Sequence, residues 1–159
     1  MQLYYICPMS IESDIKQVTP FRTPHHRVMV NLIYTSNWVV DSQVRILKPF
    51  KLTLQQYNVL RILRGQHPNP VKVADITERM LDKMSNASRL VDKLLAKQLV
   101  LRTECPNDRR AVDVVITDEG LALLKQMDVH QSDWYKAQGN KLTEDEATHL
   151  SQLLDRLRS

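Results

Sequence analysis

The stretch between Pro24 and Pro49 limits the fold of this 159-residue chain more than any other. Thr23 is a residue type that caps a helix N-terminus, and Pro24 suits the first helical position, where a backbone N–H is not needed. Pro49 cannot continue a helix, so the spacing predicts one helix over Pro24–Leu47. At helical periodicity Val28, Leu32, Val39 and Ile46 form one apolar stripe. Met29, Ile33, Val40, Val44 and Leu47 form a second beside it, and Val30, Tyr34 and Trp38 widen the surface. A helix apolar over so much of its circumference has to be covered on more than one side. A single small domain rarely supplies that cover, whereas a second copy of the chain does.

Downstream, the pattern predicts five more helices and one hairpin. Thr53 and Gln56 have capping-box spacing, with Leu52 and Tyr57 placed as a hydrophobic staple. Leu54, Tyr57, Leu60 and Leu63 form the core face of this second helix, and Gly65 is expected to end it. A third helix is expected over 72–80, with Val73, Ile76 and Met80 inward. The fourth is expected to start at Ser85 as its cap and to bury Ala87, Leu90, Val91, Leu94 and Leu95. Its opposite face carries Asn86, Ser88, Arg89, Lys93 and Lys97. Strands are expected over 99–104 and 111–116, where Val112, Val114 and Ile116 alternate with Asp113 and Val115. Residues 105–110 then form a polar turn. A fifth helix follows Thr117 and reaches about Gly139, with Asp118 and Glu119 suited to its first turn. The sixth opens with a second capping box, Thr143 and Glu146, and carries the stripe Ala147, Leu150, Leu154 and Leu157. The fold class is thus mainly α with a small β-hairpin. The chain has only 3 glycines, which argues against a turn-rich sandwich or barrel and leaves no Gly-rich loop for a nucleotide phosphate.

Charge is unevenly spread. Residues 51–116 hold 12 basic and 7 acidic side chains, whereas residues 117–159 hold 5 and 8. A basic middle segment beside an acidic C-terminal one suggests that the middle meets a polyanion. Three helices followed by a basic-tipped hairpin are the parts of a winged helix-turn-helix. A helix fits the DNA major groove, where Arg pairs bidentately with guanine and Asn with adenine. Ser85, Asn86, Ser88 and Arg89 lie at the N-terminal end of the fourth helix, and Lys93 and Lys97 farther along suit phosphates. The helix N-terminus adds a partial positive charge. Arg109 and Arg110 at the hairpin tip suit the narrow minor groove, where negative potential is strong. Asp108 would repel phosphate, so its expected role is to orient an arginine of the wing.

Three segments resemble successive landmarks of the MarR (multiple antibiotic resistance regulator) family: LTLQQYNVLRILRG, MSNASRLVDKLLAKQLVLR and PNDRRAVDVVITDEG. They occur in that family's order and spacing, and its Asp-x-Arg wing motif falls on Asp108 and Arg110. Gln98 stands where the family often has glycine, a departure without consequence if the turn there is an ordinary one. The resemblance covers roughly residues 24–158. It implies a winged helix-turn-helix with N- and C-terminal dimerisation helices, assembled as a homodimer through the first, fifth and sixth helices. It implies double-stranded DNA as partner, with each half of a pseudo-palindromic operator held by one recognition helix and wing. It also implies a repressor released by a small, often aromatic, effector or by oxidation. On this reading 1–23 is a tail expected to be flexible, 24–50 and 117–159 are dimerisation helices, and 51–116 binds DNA, all in one continuous domain. His26, Tyr34 and Trp38 are candidate effector contacts, with core packing the plainer role for the two large rings.

The other function classes find less support. Cys7 and Cys105 make no disulfide framework and no zinc spacing, which fits a reducing cytoplasm. Neither matches the position of a redox-sensing cysteine in the family, so a thiol-based regulator is the weaker reading. His25 and His26 point to different faces of one helix and make a poor metal pair, so neither a metal nor a cofactor is expected. No Ser-His-Asp signature or paired-carboxylate motif suggests an enzyme. A winged helix that binds protein instead of DNA would be depleted in Arg and Lys where this chain is rich. Residues 3–7 are apolar but too short for a membrane span or signal peptide. Met9-Ser10-Ile11-Glu12 reads like a natural start, with residues 1–8 as an extension.

Overall fold

The computed structural model describes the backbone of residues 10–105, 108–139 and 141–159, and their side chains except at 104–105 and 108–111. The chain divides into two compact units, Met1–Arg45 and Ile46–Ser159.

In the first unit, the stretch expected as a tail contains a helical turn, α1 (Ile11–Asp14), in which Ile11 is buried. The Ser10 hydroxyl caps it by accepting from the Ser13 N–H at 3.3 Å. Arg27 donates to both carboxylate oxygens of Glu12, at 2.5 and 3.1 Å. These charge-assisted bonds are the main reason the Glu12 carboxyl is lowered from its ordinary range to about 2. The long helix α2 (Pro24–Leu47) has the expected bounds, and Thr23 Oγ1 caps it by accepting from the His26 N–H at 3.1 Å. Most of its apolar surface is exposed, including Val28, Met29, Ile33, Val40 and Val44.

Early in the second unit, Pro49 ends α2 in a 3-10 turn, Lys48–Phe50. α3 (Leu54–Arg64) carries the expected capping box. The Thr53 hydroxyl accepts from the Gln56 N–H, and the Gln56 side chain accepts from the Thr53 N–H, both at 3.2 Å. Gly65 ends the helix in a right-handed conformation, so its glycine freedom is not used. α4 (Val73–Arg79) follows, then α5 (Ala87–Leu95), α6 (Asp118–Gly139) and α7 (Glu144–Arg158). The Thr143–Glu146 capping box opens α7 as expected.

The sheet has three antiparallel strands rather than two. β1 (Val71–Lys72) pairs with β3 (Asp108–Ile116), which pairs with β2 (Val100–Cys105), in the order β1-β3-β2. Val71 faces Val114, and Val114 in turn faces Arg102. The polar turn expected over 105–110 is narrower, because Cys105 ends β2 and Asp108 already opens β3. The β2–β3 register is interrupted between Glu104 and Cys105.

One core joins these elements. Leu60 and Leu63 of α3, Ile76 of α4, Val91 and Leu94 of α5, Val100 and Val114 of the sheet, and Leu124 and Met127 of α6 are essentially inaccessible. Arg64 of α3 grips Asp128 of α6 with two hydrogen bonds, at 2.8 and 3.1 Å. α6 enters so closely that a Cβ on Gly120 would lie 2.4 Å from the Leu99 carbonyl and 2.7 Å from Ile116 Cγ1.

Candidate nucleic-acid interface

The helix pair α4–α5 and the β2–β3 hairpin form the expected helix-turn-helix and wing. Asn86 caps α5, not Ser85: the Asn86 Oδ1 accepts from the Arg89 N–H at 3.0 Å. Ser85 lies one residue earlier and donates its hydroxyl proton to Asp82 Oδ2 at 2.8 Å. Asp82 Oδ1 also accepts from the Met84 N–H at 3.0 Å. These two bonds, the Ser85 one first, hold the Asp82 carboxyl below its ordinary range. The turn is pinned at its other end, where Asn58 of α3 accepts from the Leu81 N–H at 2.9 Å. The acceptor oxygen of Asn86 is therefore spent inside the protein, although the residue itself is exposed.

The outward face of α5 holds Ser88, Asp92, Arg89 and Lys93 within an arc of about 140°. Ser88, Arg89 and Lys93 are exposed, while Ala87, Val91 and Leu94 on the opposite side are buried. The inward pattern needs one correction. Leu95 is exposed, because seven residues on from Ser88 it lies only about 20° around the helix from it. Lys97 is also placed differently. Its ammonium donates to the Lys51 carbonyl and to Gln56 Oε1, so it braces the start of α3 instead of reaching outward.

Arg102, on β2, is a residue that the sequence reading missed. It pairs with Asp92 of α5 at 2.7 Å and ties the first wing strand to the helix. Its signal was present: Asp92 is the one acid in α5, and an acid on a face expected to meet phosphates needs a cation beside it. Asp108, Arg109 and Arg110 have backbone in β3, but their side chains lie outside the described residues, as does that of Cys105. Cys7 also lies outside them.

The end of α5 overturns one expectation. Gln98 has φ 60°, in the left-handed region. Its N–H donates to the Leu95 carbonyl at 2.9 Å, and the Leu99 N–H donates to the Leu94 carbonyl at 3.1 Å. This pair of bonds is the Schellman ending, in which glycine is preferred. The turn is therefore not an ordinary one, and the absence of glycine carries strain.

The candidate effector contacts sit in the first unit. His26 meets Phe21 edge to face at 5.2 Å between ring centres, and Tyr34 and Trp38 are partly exposed on α2. A groove in that unit runs over Glu12, Val18, Phe21 and Arg27 and is lined by none of the three. Among the described residues no three His, Cys, Asp or Glu side chains converge on a metal position, and no helix is long and apolar enough to cross a membrane.

Comparison with known proteins agrees with this geometry. A profile of the MarR family matches residues 52–112, from the start of α3 to the middle of β3. The multiple antibiotic resistance protein MarR of Salmonella typhimurium is 31% identical over 131 residues, covering 79% of this chain and 88% of that protein. The chain belongs to the MarR family. A MarR transcription factor from Planctomyces limnophilus superposes with a TM-score of 0.65 at 33% identity, covering 86% of this chain and 98% of that one. A mutant Escherichia coli MarR solved with operator DNA superposes with a TM-score of 0.67 at 28% identity, covering 80% and 91%.

Proposed function

We propose that this MarR-family regulator acts as a homodimeric repressor on a pseudo-palindromic operator. The observation that carries the DNA reading is the two-sidedness of α5: Val91 and Leu94 are locked into the core while Ser88, Arg89 and Lys93 are exposed on the other side, Ser88 Oγ accepting from Arg102 at 3.5 Å. A helix fixed in this way offers base and phosphate contacts without reorganising. The solved E. coli relative carries operator DNA, which supports the same ligand here, and a DNA ligand in turn favours a cytoplasmic location beside the genome.

Ser88 and Arg89 read bases, Asn86 contributes its amide donors, and Lys93 holds a phosphate. Ser85 stays at the edge of the contact, its proton given to Asp82. Arg109 and Arg110 enter the minor groove with Asp108 orienting them. The exposed apolar faces of α2 and α7 support the dimer. An aromatic effector, taken up beside His26, Tyr34 and Trp38, would act by favouring a dimer whose recognition helices no longer match the half-site spacing of about 34–36 Å.

The deciding experiment selects bound sequences from a random duplex library at two salt concentrations. An inverted repeat is expected to emerge, and Arg89→Ala is expected to relax preference at one position per half-site at a cost of about 1–3 kcal/mol. Binding with no enriched sequence, lost steeply as salt rises, would reduce the activity to phosphate contact alone.

A further inference from the structure

The turn that enters α5 displays two large apolar side chains to solvent. Met84 is 93% exposed and Leu81 85%. Single exposed apolar residues are common and ordinarily mean nothing. These two differ in being held out by a built turn. Asp82 fixes the backbone at Met84 and the hydroxyl of Ser85, and Asn58 fixes the backbone at Leu81. Beside them the acceptor of Asn86 is spent as the helix cap. The N-terminal edge of α5 therefore presents fewer acceptors than its sequence suggests and one long, adaptable thioether chain.

We infer that Met84 is a specificity-determining residue that reads a thymine 5-methyl group in the major groove. This inference rests on the proposed DNA reading and deepens it. Thymine is the base whose major-groove edge carries a methyl, and apolar side chains select it by contact. Methionine suits the task because it is unbranched and fits an irregular apolar surface. The side chain gives up water on binding and returns no hydrogen bond, so contact with an apolar group is what rewards its exposure. The operator half-site is accordingly expected to contain a thymine that no polar side chain selects.

The test uses the full-length protein and the duplex recovered by selection, with each thymine of one half-site replaced in turn by deoxyuridine. This replacement removes the methyl and keeps base pairing. At one position the wild-type protein should lose about fourfold in affinity, the loss expected for one buried methyl contact. Replacement in both half-sites should cost about fifteenfold. Met84→Ala should bind the thymine and deoxyuridine duplexes equally, whereas Met84→Leu should still discriminate. A side chain this exposed can be replaced without loss of folding, which a melting curve would verify. Indifference of the wild-type protein to every deoxyuridine, in an operator that it still selects, would overturn the inference and leave the DNA reading standing. Unaltered discrimination by Met84→Ala would overturn it too. Failure to select any sequence would instead remove the DNA reading itself, and this inference with it.

Discussion

α5 and α2 are both amphipathic, and the chain treats them in opposite ways. The apolar side of α5 is covered by α3, α4 and the sheet, and its polar side is left open. On α2 it is the apolar side that is open, with Ile33 61% exposed and Val28, Met29 and Val44 near half. α7 resembles α2 in this respect: Leu150 and Leu157 are exposed although they share one stripe. Full burial of such a side chain is worth roughly 1.5–3 kcal/mol, so one left half exposed forgoes about half of that. Apolar residues left open at helical spacing from Val28 to Val44, over about four and a half turns, support the proposed surface for a second copy. The polar face of α5 is written for a different ligand, one that brings its own charge. One element thus belongs to a core that this chain completes by itself, and the other, in the proposed dimer, to a core shared with a second copy.

The sharpest way to break this comparison is to charge the open apolar face. Ile33→Asp leaves the isolated chain untroubled, because the site is already solvated. In the proposed dimer it buries two carboxylates without partners, at a cost of several kcal/mol each. The variant is expected to run as a monomer in light scattering at micromolar concentration, where the wild-type protein runs as a dimer. Leu101→Asp is the control, since Leu101 is 57% exposed but lies on the edge strand β2 of the wing. It should remain a dimer. If both variants dissociate, or neither does, exposure does not distinguish the two surfaces and the comparison fails.

A smaller effect tests the completeness of the core on the α5 side. Replacing glycine by alanine within a helix ordinarily gains about 1 kcal/mol. At Gly120 the sign should reverse, because the new Cβ meets a backbone carbonyl at 2.4 Å that cannot rotate away. Gly120→Ala is expected to cost about 1–3 kcal/mol in urea unfolding. Gly65 gives the contrast: its φ is −67° and the nearest atom to an added Cβ is 3.5 Å away. Gly65→Ala should gain about 0.4–1 kcal/mol by restricting the unfolded chain. Opposite signs at the two glycines would show that α6 is seated against the sheet without slack.

The features legible in the sequence were those carried by local rules. The bounds of α2, both capping boxes and the inward side of α5, Leu95 apart, follow from residue type and spacing alone. What escaped depends on contacts distant in sequence. β1 is two residues long, too short for any alternation, and exists because Val71 finds Val114. Arg102 meets Asp92 only when β2 folds back onto α5. Ser85 and Asn86 are equally good caps by type, and Asp82 decides between them by taking the Ser85 hydroxyl. Lys97 has the spacing of a phosphate contact but finds the Lys51 carbonyl first.

The helix endings show this gap most plainly, and they give the smallest prediction. Lys16, Lys51 and Gln98 all have φ between 53° and 60°, and among the described residues no glycine has positive φ. Each donates its N–H to the carbonyl three residues back, while the next residue donates to the carbonyl five back. The Schellman geometry is thus used three times without the residue that advertises it, so a search for glycine finds none of the three. A non-glycine residue there carries a steric cost of about 1–2 kcal/mol, partly offset because glycine loses more entropy on folding. Gln98→Gly should therefore stabilise the protein by about 0.5–1 kcal/mol in urea unfolding. Gln98→Ala, which keeps a Cβ, should not. The gain belongs to the side of the molecule that the chain completes alone, so it should be the same in a monomeric Ile33→Asp background as in the wild type. A gain confined to the dimer would mean that the end of α5 is also shaped by the partner, and the line drawn between the two helices would have to move.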